Sequence, residues 1–200
     1  MLGTDQRDAL EDLLGLSDGA EVIVAYASSH GSTRGVAEQI AATLRGAGLR
    51  VECQSAGAVD ALASCDAIVF GSAVYNQRWL PEGEQFARDN RGALAERPTW
   101  LFSVGTFGDR KRLLGRFMQR EPKGFDDLRD VIRPRDYRVF AGVIERDRWP
   151  LASRLLYHLF GGRLGDNRDW ADIDAWACSI ATAMGARLPN QPGQVGSNPS

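Results

Sequence analysis

Apolar residues along this chain follow two patterns: short strand-like stretches, and longer segments with helical spacing between them. Short continuous runs occupy positions 22–26 and 67–70, two further strands are predicted at 99–104 and 137–143, and an alternating stretch occupies 49–53. Continuous runs of this length are typical of strands covered on both faces, whereas alternation is typical of an outer strand. The segments between the strands carry apolar residues at helical spacing. Strands separated by helices predict an α/β fold with a parallel sheet wrapped on both faces and right-handed crossovers.

The helices are predicted from periodicity and from signals at their ends. The helix after the first strand ends near Gly48, and Pro81 suits the first turn of a helix that continues through Phe86. A smaller helical piece is predicted at 59–63, and the last helix at 169–187. The core-facing residues predicted for the first and last helices are Val36, Ala37, Ile40, Ala41 and Leu44, and Trp170, Ile173, Ala177, Ile180 and Met184.

The chain divides into three parts by composition. Positions 1–20 predict an N-terminal helical extension, with an amphipathic helix at 5–16 before a turn. Positions 21–188 predict one α/β domain, for which a chain of 200 residues with 44% hydrophobic content supplies a sufficient core. Positions 189–200, with Gln, Gly, Asn, Pro and Ser, predict a disordered tail.

Charge and cysteine content narrow the class of protein. A formal net charge of -2 gives no reason to expect nucleic acid as the main partner. The three cysteines, Cys53, Cys65 and Cys178, are odd in number and lack metal-ligand spacing, so we expect reduced, buried thiols in a cytoplasmic protein and no metal site. No apolar run is long enough to span a bilayer.

The candidate chemistry begins directly after the first strand. There the residues Ser28-Ser29-His30-Gly31-Ser32-Thr33, here called the phosphate turn, lead into the first helix. First-turn amides lack intrahelical partners and carry partial positive charge, so amides and hydroxyls can hold a phosphate without a lysine. The serines and threonine could instead only cap the helix. Their place between a strand and a helix favours phosphate binding.

Two further loops follow strands of the predicted sheet, at 71–79 and 105–109. Ligands of parallel sheets bind beyond the carboxyl ends of the strands, so these loops and the phosphate turn are the candidate site. Other α/β classes do not fit the sequence. Gly71-Ser72 stands where a receiver domain needs an acceptor aspartate. A P-loop lysine, a triple-glycine dinucleotide fingerprint and a Gly-x-Ser-x-Gly nucleophile elbow are missing from the sequence.

With these three loops the chain resembles the flavodoxin-like family, whose first turn reads Thr/Ser-x-Thr-Gly-x-Thr and holds the phosphate of FMN. The phosphate turn matches at three of the four specified positions, Ser28, Gly31 and Thr33, and His30 replaces the middle hydroxyl. The resemblance implies a three-layer sandwich with five parallel strands in the order 2-1-3-4-5. It implies that Tyr75, Trp79 or Phe107 stacks on the flavin ring. The cofactor-binding residues that it implies are Ser28, Ser29, His30, Gly31, Ser32 and Thr33 at the phosphate, and Ser72, Ala73, Val74, Tyr75, Asn76, Ser103, Val104, Gly105, Thr106, Phe107, Gly108 and Asp109 beside the ring.

Within that family the chain is most similar to the menaquinone-dependent protoporphyrinogen oxidases and related flavodoxin-domain proteins. The similarity rests on the loop at 71–75, the strand end at 102–104 and the stretch from 141 to 162. It implies an FMN-dependent, quinone-linked dehydrogenase of heme biosynthesis, with protoporphyrinogen as the small-molecule substrate. The sequence does not identify catalytic residues for this chain.

An amphipathic insertion at about 145–168 distinguishes the chain from small electron carriers. A leucine stripe in it is edged by arginines, so 149–160 could bind a quinone, a porphyrin or the inner face of a membrane, or pack on its own domain. The cations Arg110, Lys111, Arg112, Arg116, Arg120 and Lys123 are typical of a solvated face. If the third loop borders the flavin, they could attract propionates, anionic lipid or an acidic redox partner.

The second loop lacks a glycine at 73–76, and many flavodoxins flip a glycine peptide there to stabilise one-electron-reduced flavin. A peptide without glycine reaches positive φ less readily, so the chain is expected to favour two-electron chemistry. Three alternatives stay open. They are a one-electron carrier, an enzyme that uses a deazaflavin, and a non-enzymatic binding module that has lost the flavin. The last alternative is raised by His30, which departs from the family's first turn.

Overall fold

A computed structural model describes residues 19–59, 62, 64–105, 122–144 and 165–186. These residues form strands and helices that alternate along the chain. The strands are β1 (Glu21–Ala27), β2 (Arg50–Ser55), β3 (Ala67–Tyr75), β4 (Arg78–Trp79), β5 (Thr99–Gly105), β6 (Asp136–Ala141), β7 (Val143–Ile144) and β8 (Gly165–Asp166). The helices are α1 (Ser32–Gly46), α2 (Pro81–Asp89), α3 (Arg91–Glu96), α4 (Phe125–Ile132) and α5 (Trp170–Ala183), with a 3-10 turn at Ala56–Ala58.

The main sheet confirms the predicted fold class and strand order. Its parallel strands lie in the order β2-β1-β3-β5-β6, which is the order 2-1-3-4-5 counted over parallel strands alone. The short β4 adds an antiparallel partner to β3. Along β1 the residues Val22 to Ala25 are buried, as expected for a strand covered on both faces.

Two apolar cores lie on opposite faces of the sheet. On one face α1 and α5 pack side by side, and Trp176 of α5 packs against the rings of Phe102 and Phe140. On the other face α2, α3 and α4 cover β3 and β5. The helix ends follow the sequence signals. Gly48 adopts φ +90° after α1, and the Leu49 amide bonds back to the Leu44 carbonyl at 3.2 Å.

The sequence predicts that β3 ends near Gly71, whereas the strand continues to Tyr75. The reason is a hairpin. Asn76 and Gln77 form its turn, and Arg78–Trp79 folds back to pair with Val74 and Tyr75. The second predicted loop is therefore a β-ribbon that projects past the end of β1, whose last paired residue lies opposite Ser72.

The predicted fifth strand, 137–143, is shorter than expected because the chain leaves the main sheet at Gly142. Val143–Ile144 pairs antiparallel with Gly165–Asp166 instead. This two-stranded ribbon lies at the base of the predicted insertion, of which the structure describes only 165–168.

Other differences concern helices. The helical piece predicted at 59–63 corresponds to the earlier turn at Ala56–Ala58, although 60, 61 and 63 lie outside the described residues. The sequence did not predict α3 and α4, which are short. Trp170, expected in the core, is 39% exposed, and Trp176 occupies the core position. The predicted N-terminal helix at 5–16, the segment at 149–160 and the tail at 189–200 lie outside the described residues.

Candidate functional site at the carboxyl edge of the sheet

The phosphate turn joins β1 to α1 as predicted. Gly31, the N-cap residue, precedes the helix with φ +81°, a left-handed conformation that favours glycine, and it has no side chain to cap the helix start. Ser28 Oγ accepts a hydrogen bond from the Gly31 amide at 3.1 Å and so shapes the turn. The bond from the Gly35 amide to the Gly31 carbonyl, 2.9 Å, begins the helical ladder. The amides of Ser32 and Thr33 precede that ladder and are available to an anion.

Thr33 supplies the most informative atom of the turn. Its side chain is 1% exposed, and its Oγ1 has no hydrogen-bond partner among the described residues. Buried hydroxyls are normally paired, and an unpaired one costs about 1–3 kcal/mol. A hydroxyl held in this state at a helix start fits an absent acceptor such as a phosphate oxygen.

Ser32 connects the turn to the end of β6. Its Oγ accepts a hydrogen bond from the Val143 amide at 3.0 Å, and its own proton can still be donated. Ser29, His30 and Gly31 are exposed to solvent at the same edge. The structure therefore brings the six predicted turn residues together around the start of α1.

The hairpin forms one side of the same edge. Asn76 and Gln77 adopt φ values of +49° and +62°, and the Gln77 carbonyl accepts a hydrogen bond from the Lys123 amide at 2.7 Å. Ala73 and Val74 are partly exposed, and Tyr75 is 73% exposed. An exposed tyrosine on a fixed ribbon can stack against a planar ring.

Three of the residues predicted to contact the cofactor have buried side chains. Ser72 Oγ accepts from the Leu80 amide at 3.1 Å. Ser103 Oγ accepts from Trp79 Nε1 at 2.7 Å and lies 2.8 Å from the Tyr137 hydroxyl. Both serines are fully buried, and the Trp79 ring packs inside the second core. The serine hydroxyls and the Trp79 ring therefore serve the protein's own packing and are closed to a ligand.

The third predicted loop is described only in part. Val104 also points into a core, while Gly105 is half-buried at the end of β5. Gly105 binds the chain after β6, since its carbonyl accepts from the Gly142 amide at 2.9 Å. The predicted residues Thr106, Phe107, Gly108 and Asp109 lie outside the described residues.

Sequence reasoning missed an arginine beside the phosphate turn. Arg168 follows β8, and its Nε and Nη2 donate to the carboxylate of Asp166 at 2.8 and 2.6 Å. Its guanidinium lies over the Trp170 ring, 4.3 Å from the centroid, and against Gly35 in α1, where any side chain would collide with it. The pairing lowers the pKa of Asp166 and raises the pKa of Arg168, in each case chiefly through the hydrogen bonds between the two side chains.

The cysteines fit the expectation of buried thiols in part. Cys65 is buried, and Cys53 and Cys178 are partly buried. Burial raises the pKa of the Cys53 and Cys65 thiols, which keeps both in the weakly nucleophilic thiol form. Within the described ranges, no group of three or more His, Cys, Asp or Glu side chains is arranged to hold a metal ion.

Within the part of the chain that the structure describes, no helix is both long enough and apolar enough to cross a bilayer.

Comparison with known proteins gives a family match over most of the chain. Residues 23–162 match the family described as "Flavodoxin domain". No curated protein matches the sequence.

Solved structures with the same fold include both single-domain and larger proteins. A flavodoxin from the domain Archaea is 16% identical, with a TM-score of 0.55 over 82% of this chain and 99% of that one. A mutant flavodoxin from Pseudomonas aeruginosa is 14% identical, with a TM-score of 0.54 over 83% and 99%. The rubredoxin oxygen:oxidoreductase of Desulfovibrio gigas is 15% identical, with a TM-score of 0.56, and the match covers 92% of this chain but 41% of that one. At these identities the similarity establishes the fold.

Proposed function

The chain belongs to the flavodoxin-domain family, and on that premise we propose that it is an FMN-dependent oxidoreductase whose phosphate turn holds the cofactor. FMN is the cofactor that membership of this family implies. When bound, FMN supplies a ring that accepts and returns hydrogen equivalents, and the protein supplies binding, orientation and exclusion of competing acceptors.

One observation carries this proposal, the unpaired Oγ1 of Thr33. A helix start with free amides could exist without a ligand, and capping serines are common. A fully buried hydroxyl without an acceptor among the described residues is harder to account for without a ligand. Together with the amides of Ser32 and Thr33, it supports a site built for a phosphate group.

Other residues at the carboxyl edge of the sheet are assigned further contacts with the cofactor in this proposal. The hairpin presents Tyr75 as the candidate ring contact. His30, at the position of the family's middle hydroxyl, is exposed beside the turn and is assigned to phosphate binding through its ring or its backbone. For the third loop, Gly105 is the described residue at the ring side, and contacts from Thr106 to Asp109 stay predictions.

The hairpin supports a preference for two-electron chemistry. Asn76 and Gln77 reach positive φ without a glycine, contrary to the expectation from the sequence, so the support comes instead from the Gln77 carbonyl, which is bonded to the Lys123 amide. The Gln77–Arg78 peptide, which carries this carbonyl, can reorient toward the flavin only by losing that bond. We therefore expect weak stabilisation of the one-electron-reduced cofactor, as suits a dehydrogenase better than a carrier.

The finer proposal is a quinone-linked dehydrogenase that acts on a small organic substrate, with protoporphyrinogen as the candidate. It is supported by the sequence resemblance and by the ribbon of β7 and β8. This ribbon is bonded to the phosphate turn through Val143 and Ser32, and its strands are the described residues that flank 145–164 in the sequence. A redox protein as acceptor and peripheral membrane contact through 149–160 are the competing forms of this proposal.

Purified protein reconstituted with FMN tests the cofactor and the acceptor separately. We expect yellow protein with one FMN per chain, oxidation of protoporphyrinogen in the presence of a soluble menaquinone analogue, and little one-electron-reduced flavin during a dithionite titration. Bound FMN that passes through an abundant one-electron state and does not reduce the quinone would identify an electron carrier instead. Absence of FMN binding would overturn the oxidoreductase proposal itself.

Co-sedimentation with anionic liposomes tests the membrane form of the proposal. Protein that pellets with liposomes at low salt and is released by added salt would support peripheral contact. Protein that stays in the supernatant at low salt would exclude it.

A further inference from the structure

Arg168 lies where the starts of two helices meet. α1 and α5 pack against each other and both begin at the carboxyl edge of the sheet, the former after the phosphate turn and the latter after Asp169. The Arg168 guanidinium approaches the first turn of α1 because Gly35 has no side chain to block it. Its side chain is only 17% exposed, so its position is fixed by the protein around it.

Two hydrogen bonds join the segment that precedes this arginine to the start of α1. Ser32 Oγ accepts from the Val143 amide at 3.0 Å, and the Gly142 carbonyl accepts from the Asn167 amide at 3.3 Å. The ribbon that precedes Arg168 is thereby joined to the residues that start α1. The location of Arg168 is thus set by the same contacts that set the phosphate turn.

The electrostatics of this position favour an additional anion. Helix starts carry partial positive charge, so a guanidinium placed beside two of them is unfavourable unless anions compensate. Asp166 compensates in part by binding Nε and Nη2. The third nitrogen, Nη1, has no hydrogen-bond acceptor among the described residues, and it is the nitrogen that lies closest to Gly35.

We propose that Arg168 is a phosphate-binding residue of this protein, with Nη1 donating to the phosphate group held at the phosphate turn. The inference rests on the proposed function, since it names a further ligand of the same phosphate. It goes beyond the hydroxyl-and-amide pattern that the sequence predicted, because it adds a fixed positive charge. The expected consequence is selection for phosphorylated flavin over riboflavin.

Dissociation constants of FMN and riboflavin for matched variants test this inference. Arg168→Gln should weaken FMN binding about tenfold to a hundredfold, as for loss of one hydrogen bond between charged groups, and change riboflavin binding less than about twofold. Arg34→Gln is the control, because Arg34 lies on the same turn of α1 but is exposed and paired with Glu38 at 2.7 Å. It should leave both constants unchanged.

Asp166→Asn separates a binding role from a structural one. If Arg168 acted only by pairing with Asp166, Arg168→Gln and Asp166→Asn would both weaken the binding of FMN and of riboflavin to the same extent, and this inference would be wrong. If Arg168 binds the phosphate, removal of the competing carboxylate charge should leave FMN binding intact or tighter. Far-UV circular dichroism and thermal unfolding establish that each variant is folded.

Inorganic phosphate separates this inference from the proposed function. We expect phosphate to raise the Tm of the wild-type protein and of Arg34→Gln, but not of Arg168→Gln. If wild type binds neither flavin while phosphate still stabilises it through Arg168, the oxidoreductase proposal fails and the anion site stands. If FMN binds and Arg168→Gln behaves like wild type in both assays, the anion role of Arg168 is refuted alone.

Discussion

Replacement of Thr33 by valine should have opposite effects on the empty protein and on cofactor binding. Valine has nearly the same shape as threonine and replaces the hydroxyl by a methyl group. The Thr33 hydroxyl is buried and unpaired among the described residues, so in the empty protein its removal relieves a penalty. In the complex the same change removes a donor to the phosphate.

The two effects have comparable size. An unsatisfied buried hydroxyl costs about 1–3 kcal/mol, so Thr33→Val should raise the free energy of unfolding of the cofactor-free protein by about 1–2 kcal/mol. For a chain of this length that corresponds to a Tm increase of roughly 2–8 °C. A hydrogen bond to a charged group is worth about 1.5–3 kcal/mol, so the dissociation constant for FMN should rise roughly tenfold to 150-fold.

Urea denaturation of the cofactor-free protein and calorimetric titration with FMN measure the two effects. Thr33→Ser is the matched control, since it keeps the hydroxyl and loses a buried methyl group. It should retain FMN binding and destabilise the empty protein by about 1 kcal/mol. If Thr33→Val destabilised the empty protein and left FMN affinity unchanged, the hydroxyl would have a structural partner and the reasoning would be refuted.

Three further predictions concern the surroundings of the site. Ser103→Ala leaves the buried Trp79 Nε1 without its Ser103 acceptor and removes one hydrogen bond of the partly buried Tyr137, so it should lower the free energy of unfolding by about 1–3 kcal/mol in urea; an unchanged free energy of unfolding would contradict this bonding. Gln77→Gly relieves a side chain at positive φ and should stabilise the protein by about 0.5–1 kcal/mol, whereas destabilisation would show that the turn is unstrained. The pKa of Asp166 is lowered by hydrogen bonds from Arg168, so the stability that this pair contributes is complete above the ordinary value of 3.8 and is lost as pH falls through the folded-state pKa. Asp166→Asn should therefore flatten the decline of stability below about pH 4, and an unchanged acid limb would contradict this assignment.

The fold was predictable because its signals are local. A continuous apolar run such as that in β3 can be buried only between two layers, and the periodicity of α1 marks the face that packs on the sheet. The hairpin was missed because its turn is Asn76-Gln77, which lacks the glycine that usually marks a two-residue turn. The α4 helix was missed because only its first and last residues, Phe125 and Ile132, are buried.

The candidate site was predictable where the backbone forms it. The phosphate turn needs only a strand, a glycine at positive φ and hydroxyls, all of which are visible at 28–33. The sequence does not show whether a hydroxyl at a strand end faces a ligand or the interior. The Ser103 hydroxyl accepts hydrogen bonds from two side chains that lie 24 and 34 positions away in the sequence. Arg168 reaches Gly35 from a distant part of the sequence, and only the pairing of β7 with β8 brings it there.

Amide chemical shifts of the isotopically labelled protein during titration with FMN test the central claim most directly. We predict saturation at one FMN per chain, with the largest shift changes at the amides of residues 29–33 and much smaller changes there when riboflavin replaces FMN. Failure of FMN to bind, or shift changes confined to residues away from the phosphate turn, would contradict the account.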